Sequence, residues 1–387
     1  MLNRYLRVLL CKHYLFLCWF IIPVVSLSQS PDTSSTPPIT SFWKNASIGS
    51  RFYYGSYLTT KSKAEYIKDS YSSYGELYLQ FQTKGFKDWE VVNRYPQWGI
   101  GLMYGNTGSR QYMGNMTALY AYLNLPIIRA GNYNANFLVG TGPGIISRPF
   151  DIHSNPKNTL IGTRLNAFIN LGFQNELRLS KHVFLNAGLN FLHLSNGGTT
   201  LPNLGINTPC VTAGLRYAFD KPDTADIIPN PGYYQKRILI KVFSSVSLKQ
   251  APWIGGNHYL INVLQPEVTY LRKRKNSIGI GMMFTYNRSL DFFPLENPSY
   301  EKKGQKKLQI GTYGTYELLF GRLSVPLQLG VYVYNKAKSP LLFQQFGLRY
   351  RLQDKYSGVI NNLSAELLLK SHMGQADFIH IGIGYTF

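Results

Sequence analysis

The stretch Trp98-Gly99-Ile100-Gly101-Leu102-Met103-Tyr104-Gly105 sets large apolar side chains at even positions and mostly glycine at odd ones. Successive side chains of a strand point to opposite faces, so this is a strand with one bulky greasy face and one nearly bare one. A second stretch repeats the pattern: Ile278, Ile280, Met282, Phe284 and Tyr286 alternate with Gly279, Gly281 and Met283. A narrow barrel in a membrane needs this division, since its outside meets lipid while its crowded inside takes glycine. Helical periodicity is scarce along the chain.

Composition agrees. The 387 residues include 29 Tyr, 22 Phe and 35 Gly with only 15% charged, which suits the lipid face and aromatic girdles of a transmembrane β-barrel. Composition alone also leaves open a soluble all-β sandwich with a basic surface. Arg4, Arg7 and Lys12, the apolar run from Tyr14 to Val25, and Ser26-Leu27-Ser28 before Gln29 predict a secretory signal peptide over residues 1–28. Phe16-Leu17 before Cys18 lacks the small residues of a lipoprotein cleavage site. Cys11 and Cys18 leave with the peptide, so Cys210 alone remains and no intrachain disulfide is expected. No long apolar helix then remains to span a membrane. The net charge of +21 falls to +18 without the three basic residues of the leader. Such an excess fits an anionic membrane surface or an acidic glycolipid. It does not favour nucleic acid, because the chain is exported and carries no nucleic-acid-binding signature.

Residues 29–44, with Pro31, Pro37 and Pro38 among Ser and Thr, read as a flexible leader. Beyond it, about eight strands on each side flank the Pro-rich segment 220–236, which holds Pro222, Pro229 and Pro231. The halves echo one another. The two alternating stretches match, Leu215-Arg216-Tyr217-Ala218-Phe219 matches Ile383-Gly384-Tyr385-Thr386-Phe387, and Leu123-Asn124-Leu125-Pro126 matches Leu323-Ser324-Val325-Pro326 at a comparable place. This predicts a tandem duplication: all-β, an antiparallel outer-membrane barrel of about eight strands over 45–219 and another over 237–387. One barrel of about sixteen strands is the alternative. Either leaves no strand edge facing lipid. The terminal aromatic Phe387 agrees with an outer-membrane barrel.

Chemistry-bearing residues gather at one strand end. Val183, Leu185, Ala187, Leu189 and Phe191 are apolar, and His193 and Ser195 continue their parity onto the same greasy face. The returning strand sets Asn207 in the parity of Val211, Ala213, Leu215, Tyr217 and Phe219. A hairpin centred near Thr200 places Asn207 beside His193. With the N-terminus in the periplasm, this seventh strand ends at the outer leaflet, where lipid is the natural substrate. Ser195 is the expected nucleophile, His193 its base and Asn207 the residue orienting the imidazole. Asn196, Asn203 and the backbone N–H groups of Gly197 and Gly198 are candidates to hold a developing oxyanion.

The run His193-x-Ser195-Asn196-x-Gly198, with Pro202-Asn203-x-Gly205-Ile206 and a closing Tyr217-x-Phe219, resembles the outer-membrane lipid A 3-O-deacylases, the PagL-like acyloxyacyl hydrolases. The resemblance is strong over about 165–219 and looser over the rest of the first half. It implies an eight-stranded barrel whose Ser, His and acidic residue sit on the outer, lipid-facing wall and hydrolyse an ester-linked acyl chain of lipid A. The substrate would be lipid A or lipopolysaccharide, with phospholipid as the nearest alternative, in the outer membrane of a Gram-negative bacterium. It implies no metal and no organic cofactor. Serine and histidine carry over to Ser195 and His193, while the family's acid falls on Asn207. A carboxylate stabilises an imidazolium, whereas an amide only accepts the ring N–H, although papain-like enzymes work with Asn. Glu176 and Asp151 are candidate substitute acids. The competing class is a non-catalytic barrel acting as pore, anchor or binding surface.

Other motifs carry less. Asp151-x-His153 offers two metal ligands, too few for a site. Gly140-Thr141-Gly142-Pro143-Gly144 lacks the lysine and helix of a phosphate loop and reads as a strand end with a tight inside face. Arg272-Lys273-Arg274-Lys275 reads as a solvated turn, and Lys302, Lys303, Lys306 and Lys307 as flanks of another loop. His372 has even parity with Glu366 and Lys370, opposite to the greasy odd set, and Gly374 stands where a serine would be needed. The second half is therefore expected to be a structural or substrate-positioning copy without catalysis.

Overall fold

The computed structural model describes residues 43, 45–58, 66–220, 237–273, 275–292, 307–337, 340–352 and 362–387. The signal peptide, most of the leader, the linker at 221–236, Arg274, and Lys302, Lys303 and Lys306 lie outside the described residues.

Among the described residues alternation becomes sixteen antiparallel strands in two closed barrels of eight, which excludes the single large barrel. The first runs β1 (Ala46–Gly55), β2 (Ser72–Gln82), β3 (Gln97–Asn106), β4 (Asn115–Ala130), β5 (Tyr133–Ile146), β6 (Leu165–Arg178), β7 (Val183–Ser195) and β8 (Ile206–Ala218), and β1 closes it on β8. The second runs β9 (Arg237–Gln250), β10 (His258–Lys273), β11 (Asn276–Asn287), β12 (Leu308–Phe320), β13 (Leu323–Asn335), β14 (Leu342–Arg351), β15 (Leu363–His372) and β16 (Gln375–Thr386), closing on β9. The two opening stretches fall on β3 and β11, the third strand of each barrel. The Leu-x-x-Pro echo does not match in this way. Pro126 lies on the fourth strand of the first barrel and Pro326 on the fifth of the second, so that similarity is one of strand ends near a turn and not of equivalent positions.

Strands of 13 or 14 residues, such as β6, β7 and β8, exceed the roughly 10 needed to cross a bilayer at a barrel's tilt. Their outward rows are greasy and exposed, Leu185, Leu189, Val211 and Leu215 among them. In water such a surface would be a liability; against acyl chains it is the stable arrangement. Inside, space is short: a Cβ on Gly101 would lie 2.5 Å from Glu76 Oε1 and 2.8 Å from the Tyr120 ring, which is why β3 is bare on that face.

Each interior carries a polar network that pairs its buried charges. In the first barrel Arg51 bonds Glu76 at 3.1 Å, Tyr53 and Tyr120 donate to the same carboxylate, and Arg216 bonds Glu176 at 2.7 Å. In the second, Arg349 binds Glu267 and Glu366, and Lys241 binds Glu317 at 2.7 Å.

The connections are asymmetric. At one end of the first barrel β4–β5 and β6–β7 turn within a few residues, while at the other end lie the loops L1 (56–58 and 66–71), L3 (147–164) and L4 (196–205). L4 joins β7 to β8. At the short-turn end the helix α1 (Asp88–Val92), between β2 and β3, reaches the second barrel: Asn93 Nδ2 donates to the Leu319 carbonyl at 3.4 Å, and Trp89 packs over Gly321.

Candidate active site at the loop end of the first barrel

The expected register holds. β7 and β8 pair with His193 directly opposite Asn207, and the inner face of the same hairpin, Leu192, Leu194 and Ile206, is buried in the apolar cluster that plugs the upper barrel. That packing fixes the strand, and the alternate side chains are fixed with it on the outer wall.

Ser195 Oγ lies 2.9 Å from His193 Nε2, and His193 Nδ1 lies 2.6 Å from Asn207 Oδ1. An amide oxygen only accepts, so Nδ1 carries the ring proton and donates it, which leaves Nε2 as the acceptor for the serine hydroxyl. This is the tautomer a general base needs. L1 braces the third member, since the Leu58 N–H donates to the Asn207 carbonyl at 2.7 Å. Gly205, at a φ of +77°, passes over the ring, where a Cβ would lie 3.1 Å from His193 Cε1. The loop thus caps the imidazole as closely as glycine allows, and Ser195 is only 4% exposed beneath it.

The four oxyanion candidates divide. The Gly198 N–H donates to Asn196 Oδ1 at 3.0 Å, the Asn196 N–H donates to Asn203 Oδ1 at 3.1 Å, and Asn196 Nδ2 donates to the Thr200 carbonyl at 2.8 Å. Those donors are spent on shaping the loop. Among the described residues the Gly197 N–H and the Asn203 side-chain amide meet no acceptor, and they remain candidates.

Neither substitute acid reaches the histidine. Ile169 is the residue of β6 opposite His193, and Glu176 lies seven positions further along, roughly 23 Å at the rise of a strand, on the inner face and bonded to Arg216. Asp151 sits exposed in L3, where its Oδ1 accepts from the Ser154 and His153 N–H groups and the Ser154 hydroxyl. Those bonds, the Ser154 amide first, hold its carboxyl below the usual carboxylate range. Its hydrogen bonds are spent on its own turn.

Sequence reasoning missed the partners of L4. L3 holds its second half, where the Gly205 N–H donates to the Leu160 carbonyl at 3.0 Å and Asn203 bridges Ile161. The second barrel holds its first half through Gln250, His258 and β16. Gln250 carried no distinctive signal, since Ser244 already sets a polar side chain in the same outward row of β9.

Residues 73–216 match the family model described as lipid A 3-O-deacylase (PagL), and residues 238–387 match that of the acyloxyacyl hydrolase C-terminal domain, together about three quarters of the chain. No curated protein matches the chain in sequence. Among solved structures, the outer membrane enzyme PagL is 13% identical over 43% of this chain and 97% of its own, at a TM-score of 0.29. Neisserial surface protein A (NspA) is 6% identical over 45% of this chain and 97% of its own, at 0.32. OccAB4 of Acinetobacter baumannii is 11% identical over 89% of this chain and 97% of its own, at 0.23.

Proposed function

The chain belongs to the lipid A 3-O-deacylase (PagL) family of outer-membrane barrels, and from that premise we propose that it hydrolyses an ester-linked acyl chain of lipid A with Ser195, His193 and Asn207. The observation that carries the reading is the hydrogen-bonded row Asn207, His193, Ser195 on the outer wall of the barrel.

The chemistry follows from that row. Ser195 Oγ attacks the ester carbonyl while His193 Nε2 takes its proton, and the Asn207 amide oxygen keeps the ring turned through the Nδ1 proton. The tetrahedral oxyanion is held by the Gly197 N–H and the Asn203 amide. Collapse breaks the bond to the sugar oxygen, which leaves as a hydroxyl after receiving the proton from Nε2. Water then repeats the cycle, giving up a proton to His193 and releasing the fatty acid and free Ser195. An acyl chain already lying against the barrel wall needs little further ordering, so the membrane itself supplies much of the alignment.

The second barrel performs no cleavage in this reading. His372 faces the lumen, with Nε2 3.0 Å from the Tyr332 hydroxyl, and Gly374 stands two residues on, where the first barrel has Ser195.

Mass spectrometry of lipid A from cells producing the wild type and Ser195→Ala tests the proposal. The wild type is expected to remove one acyl chain and the variant none. An unchanged acylation pattern in both, with the protein folded in the outer membrane, would overturn it.

A further inference from the structure

Gln250 is the last residue of β9 and belongs to that strand's outward row, with Ile238, Ile240, Val246 and Leu248. Those four are 45 to 68% exposed, whereas Gln250 is 5% exposed. What covers it is L4 of the first barrel. Its Oε1 accepts the Leu201 N–H at 2.6 Å, its backbone N–H donates to the Thr199 carbonyl at 3.2 Å, and its Nε2 donates to the Gly256 carbonyl at 3.0 Å within the second barrel. His258 Nε2 lies 3.2 Å from Thr200 Oγ1, so three successive residues of L4 are bonded across the gap between barrels.

A second, independent set of contacts comes from β16. Gly197 and Gly198 both have positive φ, +65° and +83°. A Cβ on Gly197 would lie 2.1 Å from Ile379 Cδ1, and one on Gly198 would lie 2.6 Å from the Asp377 carbonyl oxygen. The glycines that follow the serine therefore answer to the surface of the other barrel as well as to their own turn. Ile379 belongs to the outward row of β16, where Ile383 is 68% exposed, and its own exposure is cut where L4 lies on it.

We infer that the second barrel is a positioning element of the site, with Gln250 as the clamp that sets L4 and thereby the Gly197 N–H next to Ser195. The inference rests on the hydrolase reading above. Oxyanion donors act only when fixed in advance at the place where charge develops. The turn bonds of Asn196 shape the serine-side half of L4, and Gln250, His258 and the β16 backbone anchor that turn from outside the first barrel. Gln250 touches no reacting atom, and its effect passes through the loop.

The test is kinetic, on the full chain, with lipid A in mixed detergent micelles. Turnover is normalised to folded protein, measured by the shifted gel mobility of unheated barrels. Gln250→Ala is expected to lower kcat by roughly tenfold to a hundredfold, as a misplaced catalytic group does, with KM within about twofold. Gln250→Glu keeps the acceptor for Leu201 N–H and should recover most of the loss. Unaltered kcat in Gln250→Ala, a loss carried by KM, or a loss accounted for by less folded protein would each overturn the inference while leaving the hydrolase reading intact. A folded wild type without Ser195-dependent turnover would overturn both.

Discussion

The seventh strand of each barrel carries a histidine near its end at the same rim, His193 on β7 and His372 on β15, and the two point in opposite directions. His193 lies on the outer wall between Ser195 and Asn207. His372 points into the lumen beside Tyr332, with Asp377 3.7 Å away and itself held by Lys370 and Lys249. A carboxylate of the kind the first barrel lacks is thus present in the second, turned inward and spent on two lysines. Because the side-chain period of a strand is two, a one-residue difference in parity converts an outward-facing imidazole into a member of an interior ion network. Duplication kept the barrel in both halves; the chemistry depends on parity, which a single register change can lose.

The sharpest way to break this comparison is to remove each histidine in turn. His193→Ala should lower deacylation by about 10³-fold or more, as loss of a catalytic base does. His372→Ala should leave turnover per folded molecule unchanged, although it disturbs the Tyr332 and Asp377 contacts and lowers the urea midpoint of unfolding. If His372→Ala abolished deacylation in correctly folded protein, assigning the chemistry to the first barrel would be wrong.

A milder change sharpens the contrast in acids. Asn207→Asp puts a carboxylate where the family's acid falls, at 2.6 Å from Nδ1 if the geometry is kept. Charge-assisted hydrogen bonds are about twice as strong as neutral ones, and a gain of about 1.4 kcal/mol in the transition state is tenfold in rate. The expected outcome is a rise in kcat of about tenfold on lipid A, measured beside the wild type. A fall would mean that the amide is the better fit to this pocket. The gain is modest because Asn207 already selects the right tautomer and forgoes only the charge.

The contrast also shows what a sequence of this kind discloses. The two barrels were legible because alternation at period two runs through strands long enough to cross a membrane, with no helical period competing. The row of three side chains was legible for the same reason: parity put His193 and Ser195 outside, and a hairpin about Thr200 put Asn207 opposite. Glu176 was legible too, had parity been applied to β6, since its even positions, Asn166 through Glu176, all face the lumen. The fate of the loop donors was not legible, because whether Asn196 Oδ1 turns to Gly198 or elsewhere follows from turn geometry that no periodicity encodes. Nor was the clamp. Gln250 and Leu201 are 49 residues apart in separate barrels, and nothing local in either predicts their meeting.

The two candidate substitute acids give the smallest expected effects on turnover, and they separate position from chemistry. Glu176→Ala removes the partner of Arg216, whose side chain is 7% exposed, and leaves a cation in the first barrel's interior. Breaking such a pair costs about 3 to 5 kcal/mol, so the urea midpoint should fall while turnover per folded molecule stays within about twofold of the wild type. Asp151→Asn, at an exposed turn of L3, should move neither, since the amide oxygen still accepts from Ser154 and His153 and surface changes of this kind stay within about 0.5 kcal/mol. A large loss of kcat in Asp151→Asn, with stability unchanged, would mean that L3 folds over the histidine during catalysis and brings a carboxylate to the ring. The first barrel would then work with an acid after all, one supplied by a loop and not by the strand that carries Asn207.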